Sequence, residues 1–363
     1  MIRGRVIAAA LALAPGPASP IRAEEPAEPL TGETRQYYIA ADEVDWNYAP
    51  AGNVLFDLQC CGDDAPWLER GKAGRPPVFK KAVYREYTDE TFTQLRPRPP
   101  EWAHAGILGP ILRAEVGDRI EVTLKNNTSF PVSIHAHGVH YLKPYEGAGY
   151  PDDTRGSDKD DEAIAPSDSY TYRWQVPTRS GPGPNDPSSV VWLYHSHVNS
   201  PLDMNTGLVG ALIVTRHGAA RADGSPKDVD REFVTLFMNF NETESRFSLR
   251  NAGLLDGSGN KELNRFHSIN GYIFGNLPVL RMKQGERVRW YLVALGDDSD
   301  MHTPHWHGNT LLHEGHRTDV VELLPASMKV ADMRADNPGI WLYHCHVNDH
   351  MQAGMAARYE VEK

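Results

Sequence analysis

Ten of the sixteen histidines fall into four short clusters, and their spacing is the strongest chemical signal in the sequence. Each cluster contains a His-x-His pair, and residues two apart on a β-strand point to the same face. Each pair therefore presents two imidazoles side by side, as a metal site requires. Imidazole binds copper, zinc, nickel and iron alike, so the histidines do not select the metal. The clustered histidines are His135, His137, His195, His197, His302, His305, His307, His344, His346 and His350.

Cys345 narrows the choice of metal. It lies between His344 and His346, so its side chain points to the opposite face of the strand. Together with His302, His350 and Met355 it supplies two imidazoles, a thiolate and a thioether. This is the ligand set of a blue-copper electron-transfer site. One strand would then contact one copper site through its cysteine and a second through its histidines, which gives single electrons a short covalent route.

The elements that must position these residues are predicted to be strands. Segments 119–125 and 286–292 alternate polar and apolar side chains, which is typical of half-buried strands. Helical periodicity is hard to find. Long loops rich in Pro, Gly, Ser and Asp, such as 150–168 and 178–189, separate the strands. The pattern predicts an all-β protein built of sandwich or barrel domains.

The two halves of the chain repeat each other. The sequence WLYHSHVN from Trp192 recurs as WLYHCHVN from Trp341, and HAHG from His135 recurs as HWHG from His305. We therefore predict one duplicated β-domain, with copies at residues 33–217 and 231–363 joined by a linker at 218–230.

The clusters HAHG, HSH, HTPHWHG and HCHVNDHMQAGM match, in order and spacing, the copper motifs of the multicopper oxidases. The chain resembles the two-domain small laccases in domain architecture. In sequence it resembles ceruloplasmin, for example in the segments YTDETF, SGPGPNDP and HSINGYIFGNLP. The resemblance extends from about residue 36 to the end. It implies two cupredoxin-like Greek-key β-sandwich domains and a reaction that couples four one-electron oxidations of a substrate to reduction of dioxygen to water.

The resemblance also implies a role for each ligand among four copper ions. A type 1 copper, which takes electrons from the substrate, would be bound by His302, Cys345, His350 and Met355. The type 2 copper would be bound by His135 and His305. The type 3 pair would be bound by His137, His195, His197, His307, His344 and His346. The first domain has Val132, Ser196, Pro201 and Thr206 where a second type 1 site needs His, Cys, His and Met. Blue copper is therefore predicted in the second domain alone.

Several further residues are candidates by resemblance. Glu146 and Asp319 stand where small laccases carry carboxylates that can supply protons, and Tyr141 matches a tyrosine near the cluster. Asp349 matches a ceruloplasmin acid linked to iron oxidation. Solvated surface acids are the alternative for each carboxylate. Acids preceding His302 could also hold Fe(II), namely Asp297, Asp298 and Asp300. A loop that resembles a ceruloplasmin calcium site contains Asp152, Asp153, Asp160 and Asp161.

Assembly and compartment are predicted from other features. In the two-domain family the three-copper cluster forms between the first domain of one chain and the second domain of the next, so we expect a homotrimer. The first 23 residues, with Arg3 and Arg5 before a short apolar run, indicate a signal peptide and a periplasmic or extracellular protein without a membrane span. A net charge of −11 disfavours binding to nucleic acid or anionic membranes. No role follows for Cys60 and Cys61.

The resemblance leaves more than one function open. A laccase-type oxidation of phenols or aromatic amines is the first interpretation, and a ferroxidase acting on Fe(II) is the alternative on the same copper sites. Cuprous oxidation is less favoured because Met-rich insertions are missing among nine methionines. Copper nitrite reductases carry the type 1 cysteine in the first domain, where this chain has Ser196. A non-catalytic copper-binding protein would be expected to have lost ligands, and here all are present.

Overall fold

The computed structural model describes residues 32–52, 78–296 and 300–363. The predicted signal peptide, Cys60, Cys61, Asp297 and Asp298 lie outside the described residues. The all-β prediction is confirmed. Helical structure within these ranges consists of α1 (Ser200–Thr206), α2 (Asn348–Gln352) and short 3-10 turns. None of the described helices is long and apolar enough to cross a membrane.

Within its described residues, the first domain has eight strands in two four-stranded sheets. The sheet orders are β2-β1-β4-β6 and β3-β8-β7-β5. Alternation creates the core between them, since Ile120, Val122 and Leu124 of β4 point inward and the intervening residues do not. The strands are β1 (Thr34–Asn47), β2 (Val78–Tyr87), β3 (Leu112–Glu115), β4 (Arg119–Asn126), β5 (His135–Ala136), β6 (Ser169–Gln175), β7 (Ser189–His195) and β8 (Val209–Thr215).

The second domain has one six-stranded sheet, β10-β9-β12-β16-β14-β15, and one four-stranded sheet, β11-β18-β17-β13. The four-stranded sheet repeats the β3-β8-β7-β5 sheet of the first domain, with one parallel and two antiparallel pairs in the same order. The strands are β9 (Arg231–Asn241), β10 (Arg265–Ile269), β11 (Leu280–Lys283), β12 (Arg287–Ala294), β13 (Pro304–Trp306), β14 (Leu311–His313), β15 (His316–Thr318), β16 (Met328–Arg334), β17 (Gly339–Cys345) and β18 (Ala356–Glu362).

A third core lies between the two domains. Tyr194 of β7 points into the first-domain core, whereas Leu193 points outward and packs with Leu236 of β9 and Val293 of β12. Both faces of β7 and β8 are therefore buried. The polar rim of this contact includes the buried Arg289, which donates hydrogen bonds to the Asp332 carboxylate and the Ser189 hydroxyl.

The segment predicted as a linker is folded back on itself. The amide of Lys227 donates to the carbonyl oxygen of Ala219 at 2.8 Å, and the Arg221 guanidinium donates to the carbonyl oxygen of Val229 at 2.8 Å. These hydrogen bonds give the segment a defined conformation, so it is not an extended linker.

Candidate metal centre

Three buried side chains of the second domain converge on one point. The Nδ1 atoms of His302 and His350 lie 3.1 Å apart, and the Cys345 sulfur lies 4.0 Å from the first and 3.7 Å from the second. A metal bound at about 2.0 Å from each nitrogen and about 2.3 Å from the sulfur would place these atoms about 3 to 4 Å apart. The side chains of His302, Cys345 and His350 could therefore hold a single ion.

Two elements bring this group together. Strand β17 ends at Cys345, and α2 returns the chain so that His350 faces the sulfur. Met355 is fully buried in the same core; its carbonyl oxygen accepts from the Cys345 amide at 3.0 Å and its amide donates to the His350 carbonyl oxygen. The amide of Thr303 donates to the Cys345 sulfur at 3.3 Å. The backbone thus fixes three of the ligands relative to one another.

Burial sets the protonation of this site. It lowers the pKa of His302 to about 3 and raises the pKa of the Cys345 thiol. The imidazoles are therefore neutral at neutral pH and free to bind a cation. The thiol becomes a ligand only by losing its proton to the solvent as the metal binds.

The second-domain histidine group, His305, His307, His344 and His346, lies on the opposite side of β17. The Nε2 of His344 lies 3.1 Å from the Nε2 of His307 and 3.2 Å from the Nδ1 of His305. Three of these residues offer nitrogen atoms that all lie within 4.8 Å of one another. The ring of His346 is centred 5.1 Å from that of His305.

The first-domain histidine group, His135, His137, His195 and His197, has a similar arrangement. The Nε2 atoms of His137 and His195 are 3.2 Å apart, and the rings of His135 and His197 are centred 5.3 Å apart. Burial lowers the pKa of His195 to about 3 and that of His137 to about 4. These imidazoles are therefore also neutral ligands at neutral pH.

Backbone carbonyls orient several of the rings. The Nδ1 of His135 lies 2.7 Å from the Glu146 carbonyl oxygen, that of His195 lies 3.0 Å from the Ser196 carbonyl oxygen, and that of His344 lies 2.8 Å from the Cys345 carbonyl oxygen. A carbonyl only accepts, so Nδ1 carries the proton in each ring and Nε2 presents its lone pair to a metal.

The two histidine groups are separate within one chain. Among the described residues, no hydrogen bond or ring contact joins a member of one group to a member of the other. Each group supplies four imidazoles, and the predicted cluster needs all eight.

The predicted acids occupy different surroundings. The Asp319 carboxylate lies 3.6 Å from the Nε2 of His305. The Glu146 carboxylate instead pairs with the Lys143 ammonium at 2.7 Å, and only its carbonyl oxygen reaches His135. Tyr141 packs 6.0 Å from His135, measured between ring centres. Asp349 is exposed beside His350.

Among the other predicted acids, some are buried or paired and some are exposed. Asp300 is buried and accepts from the Asn239 amide at 2.6 Å, and that amide nitrogen lies 3.4 Å from the Nε2 of His350. In the loop predicted to bind calcium, Asp152 pairs with the Lys143 ammonium at 2.8 Å. Asp161 is buried and accepts from the Gly147 amide, while the two remaining aspartates of the loop are exposed.

Two residues beside the His302–Cys345–His350 group were not predicted from the sequence. The ring of His267 is centred 4.9 Å from that of His350, and the Glu262 carboxylate lies 3.7 Å from the Nε2 of His267. The Nδ1 of His267 is buried and has no hydrogen-bond partner among the described residues. One sequence feature could have indicated them: Glu262 lies five residues before His267, which is the first residue of the ceruloplasmin-like segment HSINGYIFGNLP.

Two sandwiches with paired histidines and a buried His-Cys-His group define a copper protein of cupredoxin-like fold. Sequence models of the multicopper oxidase family match residues 100–218 and 246–363. The chain belongs to this family, and its sequence is ceruloplasmin-like. A solved multicopper oxidase superposes with a TM-score of 0.59 over 91% of this chain and 89% of that one, at 24% identity.

Among curated proteins, the ferroxidase HEPHL1 of Homo sapiens is 44% identical over 342 residues, which are 91% of this chain and 29% of that protein. Ceruloplasmin of Rattus norvegicus is 39% identical over 342 residues, 91% of this chain and 32% of that protein. The chain thus spans less than a third of the length of these relatives.

Proposed function

We propose that this protein is an oxygen-reducing multicopper oxidase whose reducing substrate is Fe(II). The observation that carries the choice of substrate is the Glu262–His267 pair, whose imidazole ring packs against His350. Copper bound by the His-Cys-His group and by the two histidine groups would supply one-electron oxidation at the first site and dioxygen reduction at the second. The ferroxidase named among the relatives supports the same substrate.

Hard carboxylate oxygens and an imidazole suit Fe(II). Glu262 and His267 provide one of each, and the exposed Asp349 adds negative charge next to His350. Glu262 is 62% exposed, so it can meet an ion arriving from solvent, whereas His267 and His350 are buried. A bound ion would thus lie between solvent and the ring of His350.

The chain then offers a short route from entry site to oxygen site. His344 and His346 are the direct neighbours of Cys345, and the Cys345 carbonyl oxygen accepts from the Nδ1 of His344 at 2.8 Å. Electrons can cross this stretch through covalent bonds and one hydrogen bond. Asp319, at 3.6 Å from His305, is placed to hold one of the protons that dioxygen reduction consumes.

Phenols and aromatic amines are the second candidate substrates, and a different observation favours them. Met301 and Leu324 flank the backbone pairing of His302 with Leu323 and are 59% and 58% exposed. Two exposed apolar side chains beside the electron entry site could contact an aromatic ring.

We propose further that the working unit is a homotrimer. Each chain carries two separate histidine groups, and the outer face of β17 exposes Ile340, which corresponds to Val191 of β7 in the repeat. Val191 is covered by the second domain of the same chain. A neighbouring chain that covered Ile340 in the same way would bring the two histidine groups together.

The test compares Glu262→Gln with a matched control, Glu314→Gln, in an exposed turn of the same domain. Oxygen uptake by the copper-loaded protein is measured with Fe(II) and with a phenol. We expect kcat/KM for Fe(II) to fall about tenfold in Glu262→Gln, equivalent to about 1.4 kcal/mol, with the phenol rate unchanged. Equal effects on both substrates, or a phenol rate far above the Fe(II) rate in the unmodified protein, would contradict the ferroxidase proposal.

A further inference from the structure

The first domain retains the pocket in which the second domain holds its His-Cys-His group. Ser196 follows WLYH as Cys345 does, and its side chain is fully buried. Val132 and Thr206 occupy the positions of His302 and Met355 and are also fully buried. These three positions are therefore shielded from solvent, whereas Pro201, at the position of His350, is exposed. A buried polar group beside Ser196 needs a partner.

An ion pair occupies this pocket. The Asp203 carboxylate on α1 is fully buried; one oxygen accepts from the Arg246 Nε at 2.6 Å, and the other accepts from the Ser196 hydroxyl at 2.7 Å and the Asn199 amide at 3.0 Å. A buried carboxylate costs several kcal/mol unless a cation and hydrogen bonds compensate it. Asp203 has both.

Arg246 reaches the pocket from the other domain. It follows β9 in sequence, its amide donates to the Thr206 hydroxyl at 2.8 Å, and its guanidinium lies 5.2 Å from the centre of the Phe130 ring. The positive charge in this pocket is therefore contributed by the second domain.

The ion pair is connected to two of the predicted copper ligands. The Ser196 carbonyl oxygen lies 3.0 Å from the Nδ1 of His195. The Ser196 hydroxyl also accepts from the Ser133 amide at 3.2 Å, and the Ser133 hydroxyl accepts from the His197 amide at 3.0 Å. The hydrogen bonds of Ser196 and Ser133 therefore link Asp203 to the ring of His195 and to the backbone of His197.

We propose that Arg246 and Asp203 are positioning residues for the three-copper cluster. They fill the first-domain pocket in place of a metal and, through Ser196 and Ser133, hold His195 and His197 in the orientation that binds copper. Groups that hydrogen-bond directly to metal-binding histidines fix the orientation of their rings, and losing them commonly costs about 10- to 100-fold in metal affinity. Asp203 and Arg246 act on the histidines through Ser196 and Ser133. The inference depends on copper binding by the histidine groups and not on which substrate is oxidised.

The experiment measures copper in Arg246→Gln, in Arg246→Lys and in Ser196→Ala. Arg113→Gln is the control, because Arg113 forms another ion pair between the domains, with Glu232 at 2.9 Å, that has no hydrogen bond to a histidine. Total copper, the blue absorption and the type 2 electron paramagnetic resonance signal are recorded, together with the thermal midpoint and the oligomeric mass.

We expect Arg246→Gln to bind cluster copper about 10- to 100-fold more weakly while the blue absorption stays unchanged, and Arg246→Lys to recover part of the loss. Ser196→Ala, which keeps the ion pair and removes one hydroxyl, tests the connection if Arg246→Gln fails to fold. Unchanged copper affinity and resonance signal, with a thermal midpoint lowered as in Arg113→Gln, would overturn the proposal. Copper loss that only follows loss of the oligomer would also overturn it.

Discussion

Cys345 and Ser196 occupy equivalent positions in the two copies of one strand motif, yet their side chains contact different groups. The sulfur of Cys345 faces two imidazole nitrogens and can complete a metal site. The Ser196 hydroxyl donates to a carboxylate that is already paired with a guanidinium. The two residues differ only in having sulfur or oxygen at the same position of the side chain. The sulfur lies in a candidate metal site, and the oxygen lies beside a buried ion pair.

Replacing Cys345 by Ser should remove the soft ligand and leave the histidine groups in place. We expect the copper-loaded Cys345→Ser protein to lose its blue absorption and its steady-state oxygen uptake, while the type 2 resonance signal persists. Absorption spectra, oxygen uptake and resonance spectra check this. Steady-state activity retained in the variant would contradict the electron route through Cys345.

At the scale of elements, a glycine follows each His-x-His pair of β5 and β13 because a tryptophan from the neighbouring strand lies directly against it. Gly138 and Gly308 have φ angles of +74° and +76°. A Cβ atom would lie 2.1 Å from the Trp192 ring at the first and 2.5 Å from the Trp341 ring at the second. Gly therefore satisfies two constraints at once, conformation and space.

Gly308→Ala should lower the free energy of unfolding by about 1–3 kcal/mol through backbone strain and more through the clash with Trp341. Gly315→Ala is the control, because Gly315 has a φ angle of +79° with open space around its Cα. Denaturant unfolding of both variants separates the two contributions. An equal loss in both would show that the tryptophan gives way without cost.

The first 3-10 turn (Pro100–Ala105) joins the domains through a histidine that burial keeps neutral. The Nε2 of His104 accepts from the Val234 amide of β9, and burial lowers the pKa of His104 to about 4. In the unfolded chain the His104 imidazole is protonated near pH 6.5, whereas in the folded chain it stays neutral down to about pH 4. Protonation of the unfolded chain therefore favours unfolding below about pH 6.5.

The metal-free protein should therefore lose about 2 kcal/mol through His104 as the pH falls from neutral to about 4.5, and retain that stability above about pH 6.5. Other buried histidines act in the same direction. The measurement is the pH dependence of the unfolding free energy, which should be shallower in His104→Gln than in a variant of the exposed His316. An unchanged slope in His104→Gln would refute this assignment.

At the scale of the whole molecule, each chain carries two separate histidine groups, and the proposed homotrimer would bring groups from different chains together. We expect the copper-loaded protein to have the mass of three chains. Ile340→Lys, on the outer face of β17, should reduce that mass to one chain and remove cluster copper while the blue absorption remains. Leu249→Lys is the control, since Leu249 is 91% exposed and lies far along the chain from either histidine group. Light scattering and copper analysis decide.

The sequence was sufficient to predict the all-β fold, because strands depend on local periodicity. Motif spacing also selected His302, Cys345 and His350, whose ligand atoms lie within 4.8 Å of one another. The sequence was insufficient for contacts between distant segments. Asp203 and Arg246 are 43 residues apart, and His267 is 83 residues from His350. Glu146 shows a further difficulty: a residue selected for its carboxylate meets His135 through its backbone carbonyl, which any residue type could supply.

The core shared by β7, β8, β9 and β12 makes the two domains depend on each other for solubility. Producing the two halves separately, divided within 218–230, would expose Leu193 and Ile213 of the first domain and Leu236 of the second, all fully buried in the intact chain. Neither fragment should remain monodisperse alone. Amide hydrogens of β7 and β9 should exchange with solvent at the same slow rate, through one cooperative opening of the entire chain.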